Sequence, residues 1–349
     1  MTRRSATLES LRVEGVDLLL FAPEICVKER SALNLRYHRG PHLFAIVTAC
    51  ATFILILAGG LVTSNDAGLS VPDWPLSFGK LMPEMVGGVF YEHGHRMIAA
   101  SVGGLTLILA AWLWRREERR WVRNLGWVAL AAVVAQGVLG GLTVLFLLPA
   151  PLSVLHACLA QTFFCLVVTL ALVTSPSWMK SWRRESGFRN VSEPRIAVLT
   201  TAAIYFQLIL GALVRHSGMV EGSKGAVLVP STLIVHLMGA LLVSGLVLVL
   251  ALTVAKRSPE ASVAGLTLLL VGLLMVQLLL GVGAYVVRAT AASRPQPEFA
   301  PVLATTSHVG VGALLLAISL LVTLKLVRET RGIRGSGSIS EARLAEESL

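Results

Sequence analysis

The chain has 349 residues, of which 55% are apolar and only 14% charged, with a mean hydropathy of +0.74. Such a chain has too little polar surface to cover itself in water, which excludes an ordinary soluble domain and makes a bilayer its solvent. The formal net charge of +10 does not indicate a nucleic-acid partner, because most of the 30 lysines and arginines fall in the termini and in alternate loops.

Residues 1–40 mix basic residues, Arg36 and Arg39 among them, with Glu9, Glu14 and Asp17, around one short apolar stretch from Leu18 to Ala22. They are expected to form a cytoplasmic N-terminal segment and resemble neither a signal peptide nor a transit peptide. Apolar runs then recur at 42–62, 95–114, 124–147, 154–174, 196–214, 232–254, 263–287 and 303–327. Each is close to the ~20 residues a helix needs to cross hydrocarbon. The expected fold is an all-α integral membrane protein with eight transmembrane helices. Arg115, Arg116, Arg119, Arg120 and Arg123 follow the second run, Lys180, Arg183, Arg184, Arg189 and Arg195 the fourth, and Lys256 and Arg257 the sixth. The positive-inside bias therefore places both termini in the cytoplasm and turns the loops 63–94, 148–153, 215–231 and 288–302 outward.

An internal repeat organises these runs. A Gln-x-x-x-Gly element occurs in the third, fifth and seventh at Gln136/Gly140, Gln207/Gly211 and Gln277/Gly281. It suggests two four-helix bundles, 41–175 and 196–327, joined by a cytoplasmic linker, 176–195, and followed by a cytoplasmic tail, 328–349. An even number of spans per half makes the repeats parallel, related by an axis along the membrane normal.

Four of the eight histidines, His95, His156, His236 and His308, lie at or just inside the outer ends of the even-numbered runs. An imidazole inside a membrane is costly unless it pairs or binds something, so these positions mark function. The repeat sorts them into His95 with His156 and His236 with His308. Two histidines on facing helices suit the axial positions of a haem iron, on opposite sides of a flat macrocycle. Structural zinc wants four ligands, and blue copper wants cysteine and methionine beside two histidines, so either metal fits less well. One turn after the histidines stand Ala99, Ala160, Ala240 and Gly312, small enough to leave room for a porphyrin face.

In Glu92-His93-Gly94-His95-Arg96 the two histidines point to nearly opposite sides of a helix. His95 is the better ligand candidate, with small Ala99 one turn on where His93 has Met97. Glu92 shares the face of His95. Two readings of it stand equally: a carboxylate that moves protons beside a haem ligand, or an i to i+4 ion pair with Arg96. His38 and His42 lie among cytoplasmic arginines, where interfacial anchoring is the ordinary role. His216, beside Arg215 on the outer side, is placed to contact a haem propionate. Cys26, Cys50, Cys158 and Cys165 have no zinc-like or redox spacing, and Cys158 and Cys165, on one helix face, read as small packing residues.

The run from Gly59 through Gly60-Leu61-Val62-Thr63-Ser64-Asn65-Asp66 to Pro72-Asp73-Trp74-Pro75 resembles the haem A synthase family. Glu92-His93-Gly94-His95-Arg96 resembles its Glu-x-x-His-Arg element, and His156-Ala157-Cys158-Leu159-Ala160-Gln161 is similar to its fourth-helix motif. The resemblance covers about residues 38–327. It implies oxidation of the C8 methyl group of haem O to the formyl group of haem A in the cell's inner membrane. It further implies that His95 and His156 bind the iron of substrate haem O, that Glu92 is catalytic, that His236 and His308 hold the iron of a resident haem b, and that Arg96 and Arg215 help bind the cofactors. Implied partners are haem O synthase, a ferredoxin-like electron donor and the cytochrome oxidase assembly machinery. Two departures stand out: 63–94 lacks the cysteine pair of many bacterial relatives, and His236 is followed by Leu237 where His95 is followed by Arg96. The competing expectation is a bis-histidine dihaem electron-transfer cytochrome or a haem carrier, either of which needs the histidines and not Glu92. A transporter fits least, since broken helices are missing from the pattern.

Overall fold

A computed structural model describes residues 37–180, 192–216, 231–256, 261–291 and 298–346. Among them are nine helices: α1 (Arg39–Ser64), α2 (Gly88–Arg116), α3 (Arg120–Leu145), α4 (Ala150–Val173), the short α5 (Pro176–Lys180), α6 (Ser192–His216), α7 (Ser231–Ala255), α8 (Ala261–Ala291) and α9 (Phe299–Glu346). All but α5 are long and apolar enough to cross a bilayer, and the chain is a multi-pass membrane protein. Helices are the form such segments must take, because hydrocarbon offers no partner to an open backbone N–H or C=O. The threonines within them follow the same rule: Thr48, Thr52, Thr106, Thr200 and Thr267 each donate to the carbonyl four residues back, at 2.7–2.8 Å. Among the described residues there is no strand, only an isolated bridge between Ser77 and Lys80 in the loop between α1 and α2.

Packing closes two rings. Helices α1 to α4 pack in sequence with α4 returning to α1, and α6 to α9 do the same with α9 returning to α6. The rings meet where α1 packs on α9, α4 on α6 and α4 on α9. In the apolar window of α9, 56% of residues are buried, against 17–33% in the other seven spans, so α9 is the central helix. One core gathers Val102 and Leu109 of α2, Val122 of α3, Phe163, Val167 and Leu170 of α4, and Ala313 and Ala317 of α9. The other gathers Ile204, Val247, Leu250, Leu270 and Leu316. Leu107, Ile108, Leu241, Leu268 and Leu279 are at least half exposed and form part of the apolar outer surface. Hydroxyls tie the rings together: Ser64 to Thr305 at 2.8 Å and to Thr306 at 3.2 Å, and Thr162 to Tyr205 at 2.8 Å.

Two boundaries differ from the sequence reading. Helix α2 begins at Gly88, two turns before the apolar run at 95. Glu92, His93 and Arg96 interrupt the hydropathy there, yet they do not interrupt the helix, because the loop before it satisfies them. Helix α9 runs to Glu346, past the boundary expected at 327. The end of that continuation, Glu341 to Glu346, consists largely of good helix formers. Cys50, Cys158 and Cys165 are unpaired, and Cys165 packs against the second core. Cys26 lies outside the described residues.

Candidate functional site

The four singled-out histidines occupy four matching seats. Each ring sets its Cε1 edge against a glycine of the preceding odd-numbered span. A Cβ added at Gly59 would stand 3.2 Å from Cε1 of His95, at Gly140 2.9 Å from that of His156, at Gly211 3.2 Å from that of His236, and at Gly281 3.1 Å from that of His308. Contacts that short leave no room for a methyl group without moving the imidazole, so glycine is what lets each ring lie against the neighbouring backbone. Three of these glycines close the Gln-x-x-x-Gly elements, and the fourth, Gly59, follows Leu55 at the same spacing.

The glutamines of the element hold the histidines. Gln136 Nε2 donates to the backbone carbonyl of His156 at 2.9 Å, and Gln207 Nε2 to that of His236 at 2.7 Å. Gln277 Nε2 lies 3.3 Å from Nε2 of His308. Gly312, expected to leave space for a planar ligand, instead makes room for protein: a Cβ there would stand 3.2 Å from Gln277 Nε2 and from Leu208.

In the second ring of helices His236 and His308 face each other with ring centres 6.5 Å apart and planes at 72°. His95 and His156, in the first ring, are in electrostatic range of one another. The Nδ1 atoms of His95, His156 and His308 are buried with no hydrogen-bond partner in the protein, as are the Oε1 atoms of Gln136, Gln207 and Gln277. Purely structural buried polar groups are normally paired. The orphaned atoms instead mark a place built for something other than packing.

At one end of the first ring, the loop between α1 and α2 is clamped to the first turns of α2. Glu92 is 4% exposed, and both its oxygens are engaged: Oε2 accepts the N–H of Val71 at 2.8 Å and Oε1 pairs with Arg96 at 2.6 Å. The ion-pair reading of Glu92 is thus realised in the geometry, with a loop contact that spacing alone did not reveal. Arg96, expected to help bind a cofactor, donates to the carbonyls of Val71, Asp73 and Leu76. His93 is turned away from the seats, and its Nδ1 meets Ser77 Oγ at 2.8 Å. Asp73 accepts from the N–H groups of Phe78 at 2.7 Å and Gly79 at 2.8 Å. The N–H groups of Gly79 and Phe78 hold its carboxyl below the usual carboxylate range. That tie is present at neutral pH and is lost only as pH falls through the lowered value. The indole of Trp74 from this loop lies on Gly141, where a Cβ would stand 2.4 Å from its ring, directly beside the seat of His156.

Arg215, the other expected cofactor ligand, donates to the carbonyl of Thr63 and lies 3.7 Å from Asp66, so it joins the end of α6 to the end of α1. His216 is the last residue of α6, and the loop beyond it lies outside the described residues. His42 Nδ1 is 3.1 Å from the carbonyl of Ala171 and links the opposite ends of α1 and α4, an anchoring role. Among the described residues no cluster of three or more His, Cys, Asp or Glu surrounds a common point, so the histidines stand as pairs.

Fold and site together define a multi-pass membrane protein carrying two pairs of seated histidines within its helices, one pair beside a clamped loop. Residues 84–221, which include His95 and His156, match the family described as cytochrome oxidase assembly protein. The chain is 25% identical over 190 residues to haem A synthase of Alkalihalophilus pseudofirmus, covering 52% of this chain and 61% of that protein. It is 28% identical over 186 residues to haem A synthase of Lysinibacillus sphaericus, covering 52% and 60%. It is 32% identical over 156 residues to haem A synthase of Ruegeria pomeroyi, covering 40% of each. Over two-fifths to half of its length the chain is thus similar to haem A synthases. It spans about three-fifths of the length of the first two of these relatives.

Proposed function

We propose that the protein oxidises the C8 methyl group of haem O to the formyl group of haem A, for assembly into cytochrome oxidase. In this reading His95 and His156 bind substrate haem O, and His236 and His308 hold a resident haem b. The observation that carries it is the His236–His308 pair. The two ring centres stand 6.5 Å apart, a spacing at which both imidazoles could hold one haem iron between them. The glycine seats and the orphaned ring nitrogens support the fit at both pairs. When bound, the haems supply the redox chemistry.

The protein's own contribution is positioning. Glycine seats and glutamine donors fix the imidazole rings. The loop held by Glu92, His93 and Arg96 covers the first pair from the outside, and Glu92 is proposed as the group that handles protons beside the substrate. The two rings of helices are read as the repeats 41–175 and 196–327. This is supported by the way their interface pairs α1 with α9 and α6 with α4, an exchange that a two-fold axis through α4 and α9 would generate. Electrons are assigned to a ferredoxin-like donor, and substrate supply to haem O synthase.

The test is the porphyrin content of the purified protein, separated by chromatography after expression with a haem O source. Haem O, its hydroxylated derivative or haem A alongside haem b is the expected result. Haem b alone would instead favour a dihaem electron-transfer cytochrome, the reading favoured by the full engagement of both Glu92 oxygens in structure.

Orientation is proposed from the arginine distribution: both termini in the cytoplasm and the histidine pairs toward the outer side. A reporter fused at Arg120 or Arg184 should register as cytoplasmic and one at Met82 or Ser293 as external. An inverted pattern would place the clamped loop on the cytoplasmic side and remove this assignment.

A further inference from the structure

We propose that His95 is the exchangeable axial ligand of the first pair, and that residue 55 sets this by lacking the donor that holds the other three histidines. The proposal rests on the reading that the first pair receives a substrate haem and the second a resident one.

The four seats are alike at the ring edge, with approaches of 2.9–3.2 Å, so the seat itself does not distinguish one histidine from another. The donor does. One turn before the seat glycine stands Gln136 for His156, Gln207 for His236 and Gln277 for His308, and each sets its amide nitrogen against its histidine at 2.7–3.3 Å. The equivalent place on α1 is Leu55, buried and without a donor. Both ligands of the second pair therefore have a glutamine, whereas the first pair has one on the His156 side only.

The His95 ring meets the backbone of Leu55 on α1, as the other three rings meet the backbones of Gln136, Gln207 and Gln277, and what else holds the turn of His95 comes from the loop before α2. Glu92, His93 and Arg96 tie it to Val71, Asp73, Leu76 and Ser77, all in the outer loop. Loops open locally at far less cost than packed helices separate. A substrate must enter and a product must leave, while a resident cofactor must do neither. A site with one ligand gripped by a glutamine side chain and one whose extra ties run to a loop lets the second release while the first keeps its place. His95 thus shares the backbone contact of the other three but takes its additional hold from the element able to move, where theirs is a glutamine side chain on a packed helix.

The experiment takes the full chain, purified after expression with a haem O source, and challenges it with excess apomyoglobin as haem acceptor. The haems that remain are separated by chromatography over time. Wild type should shed haem O and its oxidation products well before haem b. Leu55→Gln, nearly the same size but supplying the donor, should slow that first loss about 2- to 10-fold, the range of one net hydrogen bond. Gln136→Leu should accelerate it, and Gln277→Leu should make haem b leave early. Slower release on adding a donor is not an effect that damage to the fold produces. An unchanged rate in Leu55→Gln that still holds haem b with a low-spin spectrum would overturn the proposal. Should Leu55→Gln fail to fold, an unchanged rate in Gln136→Leu would do the same. A wild-type chain carrying no haem O, hydroxylated haem or haem A would defeat the underlying reading and this proposal with it, an outcome distinct from equal release rates.

Discussion

Replacing His236 or His308 with alanine should remove the low-spin haem b absorption from the purified protein while leaving a membrane-inserted chain. In the proposed reading the two facing rings, 6.5 Å apart, would hold the iron together, so the loss of one would leave the other as a lone, weakly binding ligand. Insertion depends instead on the spans and on the core of Ile204, Val247, Leu250, Leu270 and Leu316, which neither substitution touches. The check is the reduced-minus-oxidised spectrum of each variant at matched protein concentration. An unchanged spectrum in both would remove the second pair as a haem site.

Glu92→Gln should reduce conversion of haem O by roughly 10²-fold or more, the ordinary worth of a positioned proton-transfer group. The structure adds a second effect. A glutamine presents one acceptor and one donor where the carboxylate presents two acceptors, so either Arg96 or the N–H of Val71 loses its partner. Leaving such a buried group unsatisfied costs about 1–3 kcal/mol, which loosens the loop without unfolding eight spans. Arg96→Lys separates the two causes. It weakens the clamp but keeps the carboxylate, and should reduce conversion only several-fold. The ratio of haem A and hydroxylated haem to haem O in extracts reads both variants. Equal losses would make Glu92 a fastening for the loop and take it out of the chemistry.

The sequence carried the spans and the histidine pairs because both signals are local. Apolar runs of the length of a bilayer and a costly residue recurring at one depth need no knowledge of which helix meets which. The Gln-x-x-x-Gly element was equally visible, but its purpose was not. That Gly140 seats His156 and Gln136 grips the same residue depends on how α3 lies against α4, which periodicity does not encode. Gly312 shows the same limit: smallness announces that something lies close, and the something was Gln277. The bond from Glu92 to Val71 spans 21 residues through an irregular loop, where neither period nor spacing offers a signal. The start of α2 was missed for a related reason, because hydropathy stops at the first charge whereas a helix continues through charges that find partners.

The contact of Trp74 with Gly141 gives the protein a built-in optical probe. Of the other tryptophans, Trp112 and Trp114 lie in the last turns of α2, Trp121 and Trp127 in the first turns of α3, and Trp178 in α5, all at the opposite ends of the helices from the seats, while Trp182 falls outside the described residues. Only Trp74 rests one residue from the glycine that carries His156. A strongly absorbing pigment lodged between His95 and His156 would drain the emission of this indole far more than that of the distant ones. Should the first pair fill and empty as proposed, the emission of Trp74 would report it with no label attached.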